Sequence, residues 1–179
     1  MKKCLLFLLL TTPTLTLIAQ RKIKYDIIKE TGDTLFNSGD ERLYIKAGGS
    51  MGCGRDKRSI VGDYIKSTVY RSSNGYMIGF EIQTGRTNSF SIYSGQLAEL
   101  NLADGSVIPL TSRGKYNAKS SAMGYGSFVF SFYGLTAANI ASLKNQPVQS
   151  IRVESSVGWF DYELKEKFQE IIARQIEVL

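Results

Sequence analysis

The chain has 179 residues, a formal net charge of +6 at pH 7 and no histidine. Without histidine there is no Ser-His-Asp triad, no Cys-His dyad and no imidazole ligand for zinc, which excludes these catalytic and metal-binding classes. Any catalysis would depend on carboxylates, lysines, tyrosines or serines. The sequence leaves open whether the protein is an enzyme, but favours the answer that it is not, and no cofactor is expected.

The first 19 residues have the layout of a secretory signal peptide. Two lysines precede an apolar run from Cys4 to Leu10, and Ala19 stands directly before polar, charged sequence. A membrane anchor is the alternative, but threonines and Pro13 interrupt the run, and about 20 apolar residues are needed to span a bilayer. We therefore expect cleavage after Ala19, no remaining transmembrane segment, and a protein in the periplasm or outside the cell.

Cleavage would leave one domain, residues 20–179, with Cys53 as its only cysteine. No intramolecular disulfide can then form, so Cys53 is buried, free or paired with another chain. The remaining charge is mildly basic and occurs in no long block of one sign. Such a balance allows attraction to an anionic surface, but the scattered basic residues do not predict a specific nucleic-acid site.

Residues 20–163 have the period-2 alternation of apolar residues that is typical of β-strands. The clearest runs are Ile23, Tyr25 and Ile27; Leu43 and Ile45; Tyr76, Ile78, Phe80 and Ile82; Ala98, Leu100 and Leu102; and Phe128, Phe130 and Phe132. We expect the three phenylalanines of the last run to lie in the core. Asp104-Gly105 predicts a tight hairpin. The pattern predicts an antiparallel β-sandwich or barrel-like domain.

Two helices are expected among these strands. Thr136 can cap a short helix near residues 136–143. Apolar residues at helical spacing over residues 164–179 predict a C-terminal amphipathic helix, which must pack on the sheets to be stable. Phe168 and Ile172 of that helix are expected in the core.

The second half of the chain contains four features in order: the run LADGSVIPL, an aromatic strand, the turn LTAANIASL, and VQSIRVESSVGWFDYELKEKF before a terminal helix. Over roughly residues 97–179 it resembles small secreted β-rich proteins of unknown function from Gram-negative bacteria. The resemblance implies a β-rich envelope domain and brings no catalytic residue with it.

The segment from Ala47 to Arg58 is the most unusual part of the predicted domain, with four glycines and three basic residues. Two glycines are spaced as in a phosphate-binding P-loop, but Arg55 replaces the lysine and Asp56 the hydroxyl that would bind magnesium, which disfavours nucleotide binding. Two interpretations stay open. The segment is either a flexible surface loop or a binding loop in which Arg55, Lys57 and Arg58 meet an anionic partner.

Trp159 is a further candidate for ligand contact, because it follows a glycine in a predicted turn rather than alternating with core residues. Asp161 and Glu163 share one face of a strand, where paired carboxylates could hydrolyse a glycosidic bond at a defined separation. A solvated surface is the expected role of these two carboxylates.

The sequence thus favours a non-enzymatic binding or interaction module of the bacterial envelope with an anionic partner, and it does not predict the oligomeric state. The first alternative is a small secreted hydrolase or lyase that uses carboxylate and tyrosine chemistry. The second is an extracellular enzyme inhibitor.

Overall fold

The computed structural model describes residues 23–27, 33–51, 58–85, 89–120 and 126–179. The predicted signal peptide, residues 1–19, lies outside these ranges. As predicted, the described chain is mainly β, with antiparallel sheets and a C-terminal helix. Its strands are β1 (Lys24–Ile27), β2 (Thr34–Asn37), β3 (Glu41–Met51), β4 (Arg58–Ser72), β5 (Gly75–Thr84), β6 (Ser91–Ile92), β7 (Leu97–Leu102), β8 (Val107–Thr111), β9 (Tyr116–Asn117), β10 (Lys119–Ser120), β11 (Ser127–Leu135), β12 (Val148–Ser155) and β13 (Gly158–Glu163).

Most strands belong to two antiparallel sheets. The large sheet has the order β1-β2-β4-β5-β11-β10, and β3 follows β2 along the same edge of β4. The second sheet has the order β13-β12-β7-β8, and β6 pairs with β9 in a short ribbon. The predicted Asp104-Gly105 hairpin joins β7 to β8, with Gly105 at φ +84°.

One apolar core lies between the two sheets. The predicted alternation of β5 is confirmed, because Ile78, Phe80 and Ile82 are all buried. The sheets contact each other directly where the Tyr44 ring of β3 meets the Tyr162 ring of β13 edge-on, 5.4 Å between centroids. Side chains that alternate inward from both sheets are what a sandwich requires.

The prediction that Phe128, Phe130 and Phe132 lie in the core is wrong. The neighbouring residues of β11 face inward instead: Ser127, Val129, Ser131 and Tyr133 are buried, and Phe130 is 50% exposed. The register with β5 is the reason, because the buried residues of β5 lie opposite these inward residues and set which face of β11 meets the core.

The short helix α1 spans Ala137–Asn145 and confirms the predicted cap at Thr136. Thr136 Oγ1 accepts a hydrogen bond from the Asn139 main-chain N–H at 3.1 Å, and Asn139 Oδ1 accepts one from the Thr136 N–H at 3.2 Å. This reciprocal pair satisfies two main-chain donors that would otherwise have no partner at the start of the helix.

The predicted helix over residues 164–179 is too long. A 3-10 turn covers Glu166–Phe168, and helix α2 spans only Ile171–Glu177. The main chain of Leu164 and Gln169 bonds instead to strand β12, since Leu164 N–H donates to the Gln149 carbonyl and Gln169 carbonyl accepts from Val148 N–H. A carbonyl bonded to a strand is not available to continue a helix.

Helix α2 packs on the core as predicted, but only one of the two side chains expected in the core is fully buried. Ile172 is buried, whereas Phe168 packs on the core only in part. No helix within the described ranges is long and apolar enough to cross a membrane.

A buried glutamine fixes α2 to the large sheet. Gln175 Nε2 donates to the main-chain oxygens of Ser67 at 2.8 Å and Gly39 at 3.0 Å. Gln175 Oε1 accepts from the Ser67 hydroxyl at 2.7 Å. These bonds satisfy both ends of a fully buried amide, so the position of the helix on β4 is specified by polar as well as apolar contacts.

Candidate functional site

Two of the basic residues that the sequence predicts for binding, Arg55 and Lys57, lie outside the described residues, and so does Cys53. Arg58 is the first residue of β4 and pairs with Met51, the last residue of β3. The prediction of a loop over 47–58 is wrong in its first part, because the chain up to Met51 continues β3. The pairing of this glycine-rich part of β3 with β4 is irregular, with register shifts between Ile45 and Ala47 and between Ala47 and Ser50.

Trp159 lies on the outer face of the four-stranded sheet. The turn before it falls at Ser156 and Val157, and Gly158, at φ +108°, begins β13. Trp159 is 37% exposed, and the Arg152 guanidinium lies over its ring at 4.8 Å from the centroid.

This outer face is acidic. The charged residues of its four strands, all of them described, are one arginine and four carboxylates: Arg152, Glu99, Glu154, Asp161 and Glu163. Arg152 Nε donates to Asp161 Oδ1 at 2.8 Å, and this hydrogen bond raises the pKa of the guanidinium above its ordinary value. A face of this charge suits an anionic ligand poorly, so Trp159 and its neighbours do not form the better candidate for an anion.

The outer face of the large sheet is rich in aromatic side chains instead. Phe132 of β11 contacts two tyrosine rings, Tyr70 of β4 at 5.7 Å and Tyr116 of β9 at 5.8 Å between centroids. Phe128 and Phe130 meet edge-on at 6.1 Å. The aromatic side chains therefore extend both across the strands and along β11 on the side that faces solvent.

Gly79 makes room for this aromatic group. It lies between Thr68 of β4 and Phe132 of β11 in the sheet register. A Cβ atom at Gly79 would lie 3.1 Å from the Phe132 ring and 3.1 Å from the Tyr70 ring. The two rings close over this position, so a Cβ atom there would require them to shift by a few tenths of an ångström.

A groove follows the aromatic strand. On the side of β11 away from β5, the segment 112–120 pairs with the strand at two places, through the Ser112↔Tyr133 bridge and through Lys119 with Phe128. Between them, β9 pairs with β6 instead. The opening has a volume of about 370 Å³, and we call it the β11 groove; it is lined chiefly by Lys115, Tyr116, Lys119, Phe128, Phe130 and Phe132.

Two lysines give the β11 groove its charge. Lys119 is exposed and lies on the same face as Phe128, its partner in the ladder. Lys115 lines the groove, and its ammonium lies 5.4 Å from the centroid of the Tyr93 ring. The groove thus combines apolar ring faces with cations that can reach an anionic group.

Tyr64 and Glu81, on the same face of the sheet, form a hydrogen bond with each other. Tyr64 donates its hydroxyl proton to Glu81 Oε1, and Lys66 Nζ lies 2.9 Å from Glu81 Oε2. Burial, reinforced by the bond to Glu81, raises the pKa of Tyr64 above its usual value. A tyrosine with a raised pKa keeps its proton at neutral pH, so Tyr64 is not arranged as a general base.

Sequence reasoning missed the β11 groove because it assigned its phenylalanines to the core. Ser131, on the other face of β11, lies opposite the large Phe80 of β5. This pairing explains why the phenylalanines face outward, and the alternating run alone does not reveal it. In the described parts of the chain, no group of three or more Cys, Asp or Glu residues could hold a metal ion.

Comparison of the chain with known protein families, with curated proteins and with solved structures gives no match. The resemblance over residues 97–179 stays a prediction.

Proposed function

We propose that the protein is a non-enzymatic binding module of the bacterial envelope, exported to the periplasm or the cell exterior. Its ligand is an anion that also carries a flat, apolar part, and it binds in the β11 groove. One observation carries the proposal: three phenylalanines alternate along β11 on the solvent face, beside Lys119.

The exposure of the aromatic rings and the size of the groove support a ligand for this face. Phe130 is half exposed although phenylalanine is among the residues most often found inside proteins. A contiguous group of exposed aromatic rings is typical of binding surfaces. The volume of about 370 Å³ falls within the range of small-ligand sites.

The hydrolase or lyase alternative has less support. It needs a carboxylate or tyrosine whose pKa is poised for proton transfer. Tyr64 donates a hydrogen bond to Glu81, but burial, reinforced by this bond, raises the pKa of Tyr64 further from neutrality. No observation favours an enzyme inhibitor.

Fluorescence titration with anilinonaphthalene sulfonate, an aromatic anion, tests the proposed ligand chemistry. We expect Phe130→Ala to weaken binding about tenfold, as loss of one ring-stacking contact does. Lys119→Gln is expected to weaken it a few fold and to remove most of its salt dependence. Nile red, a neutral dye, should respond to Phe130→Ala and not to Lys119→Gln.

Trp159→Ala is the matched control, since it removes a partly exposed ring from the opposite face. Its affinity for the dye should equal that of the unsubstituted protein. Weakened binding in Trp159→Ala together with unchanged binding in Phe130→Ala would contradict the proposal and move the site to the four-stranded sheet.

The location has its own test. The intact mass of protein purified from the envelope fraction should correspond to a chain that begins at Gln20. Retention of residues 1–19 in that protein would contradict the proposed soluble, exported form.

A further inference from the structure

The inner face of the large sheet continues beyond the core onto β1 and β2. Tyr25 of β1 lies opposite Phe36 of β2, which in turn lies opposite Arg71 of β4. Ile23, Tyr25, Ile27 and Phe36 are between 42% and 67% exposed, and we call them the β1–β2 patch. The same face that is buried under α2 at Ser67 and Val69 is therefore open two strands further out.

Helix α2 ends beside this patch without covering it. The Arg71 guanidinium donates a hydrogen bond to the main-chain oxygen of Leu179. An open groove of about 460 Å³ lies there, lined by Ile23, Phe36, Arg71 and Leu179 among others. An apolar surface with an adjoining groove is the kind of surface that a partner covers.

Strand β1 is also an edge of the large sheet. Within the described ranges it pairs with β2 alone. An edge strand presents unpaired main-chain donors and acceptors, which can pair with a strand from another chain.

We propose that the occupant is a second copy of this chain, and that β1 pairs with β1 antiparallel about a two-fold axis through Tyr25. In that register Lys24 lies opposite Asp26 of the second copy, and Ile23 opposite Ile27. The sequence Ile-Lys-Tyr-Asp-Ile is complementary to itself in both charge and apolar character. An isologous contact of this kind closes on itself and stops at a dimer.

Neighbouring registers are unfavourable. Moving the axis by one residue puts Lys24 opposite Lys24 or Asp26 opposite Asp26, and like charges directly opposite each other destabilise a strand pair. The register through Tyr25 also keeps both β1–β2 patches on one face of the extended sheet, where their apolar side chains meet.

Sedimentation velocity with charge-reversed variants tests the register. Each single substitution, Lys24→Asp or Asp26→Lys, creates two like-charge pairs across the axis. Each variant should therefore have a dimer dissociation constant roughly tenfold higher. An equimolar mixture of the two variants restores opposite charges at both pairs and should form a heterodimer. The double variant K24D/D26K should also dimerise, and Lys165→Asp, an exposed site on another part of the surface, should behave as the unsubstituted protein.

Crosslinking at the axis is independent of charge. Directly opposite residues of an antiparallel pair have Cα atoms about 4.5–5.5 Å apart, within disulfide range. Tyr25→Cys in a chain with Cys4→Ser and Cys53→Ser should therefore crosslink on mild oxidation, whereas Ile45→Cys in the same background should not. A protein that stays monomeric at all concentrations, or a dimer that neither charge reversal weakens, would overturn the proposal.

Discussion

In β11 small polar residues lie on the buried face, whereas large aromatic residues lie on the face toward solvent. The inner face has two serines, a valine, a tyrosine and a leucine, and the outer face has three phenylalanines and a glycine. Alternation in the sequence identifies the strand and its two faces. Which face is buried is decided by the neighbouring strand.

The volumes of paired residues explain this arrangement. On the inner face Phe80 lies opposite Ser131, and on the outer face Phe132 lies opposite Gly79. In each pair a large side chain meets a small one. An inner face built from Phe80 and a β11 phenylalanine would place two large rings at one position of a densely packed core.

The largest expected effect is on the inner face. Phe80→Ala removes a fully buried ring and should lower the free energy of unfolding by about 3–5 kcal/mol. Urea denaturation followed by circular dichroism measures this loss. A change below about 1 kcal/mol would mean that the core is not where the structure places it.

The second effect depends on pH and comes from a buried hydroxyl. Burial raises the pKa of Tyr133 to about 12, and the nearby Ser131 hydroxyl opposes this shift only in part. The two hydroxyls do not reach hydrogen-bond geometry, and the Tyr133 hydroxyl has no other partner among the described residues. The protonated form is thus favoured by the folded state.

Below pH 10 the folded and unfolded states both keep the Tyr133 proton, so its contribution is fully present there. Between pH 10 and 12 the folded state binds more protons, so stability falls as the pH rises, by about 2–3 kcal/mol in total. Tyr133→Phe should lack this loss and should be as stable as the unsubstituted protein at pH 7, because it removes an unsatisfied group. Denaturation curves at pH 9 and 11 that shift equally in both proteins would refute this.

The sequence predicted the parts of the fold that depend on local pattern. The inward residues of β5, the cap at Thr136 and the hairpin at Asp104-Gly105 are all determined within a few neighbouring residues. The orientation of β11, the break before α2 at Gln169 and the β11 groove depend on which strands become neighbours. That information lies in contacts between residues far apart in the chain, and one alternating run does not contain it.

The third effect concerns the space at Gly79 beneath the aromatic rings of the outer face. Gly79→Ala brings a methyl group within 3.1 Å of the Phe132 and Tyr70 rings and should cost about 1–3 kcal/mol of stability, as overpacking typically does. Gly85→Ala is the control, because a Cβ atom there has no neighbour within 4 Å and the backbone is not in the left-handed region. Equal midpoints of thermal unfolding in the two variants would show that the rings move aside freely.

The smallest effect on stability is expected at Phe130, where the effect on binding is largest. Its ring is half exposed, so Phe130→Ala should change the free energy of unfolding by no more than about 0.5 kcal/mol. Phe80→Ala on the adjacent strand shares the same chemistry and should do the reverse, with a large loss of stability and unchanged dye affinity while the protein is folded. Measuring both quantities for both variants separates a binding face from a packing face. If Phe130→Ala destabilised the protein by several kcal/mol, the ring would be part of the structure and the β11 groove would lose its main ligand contact.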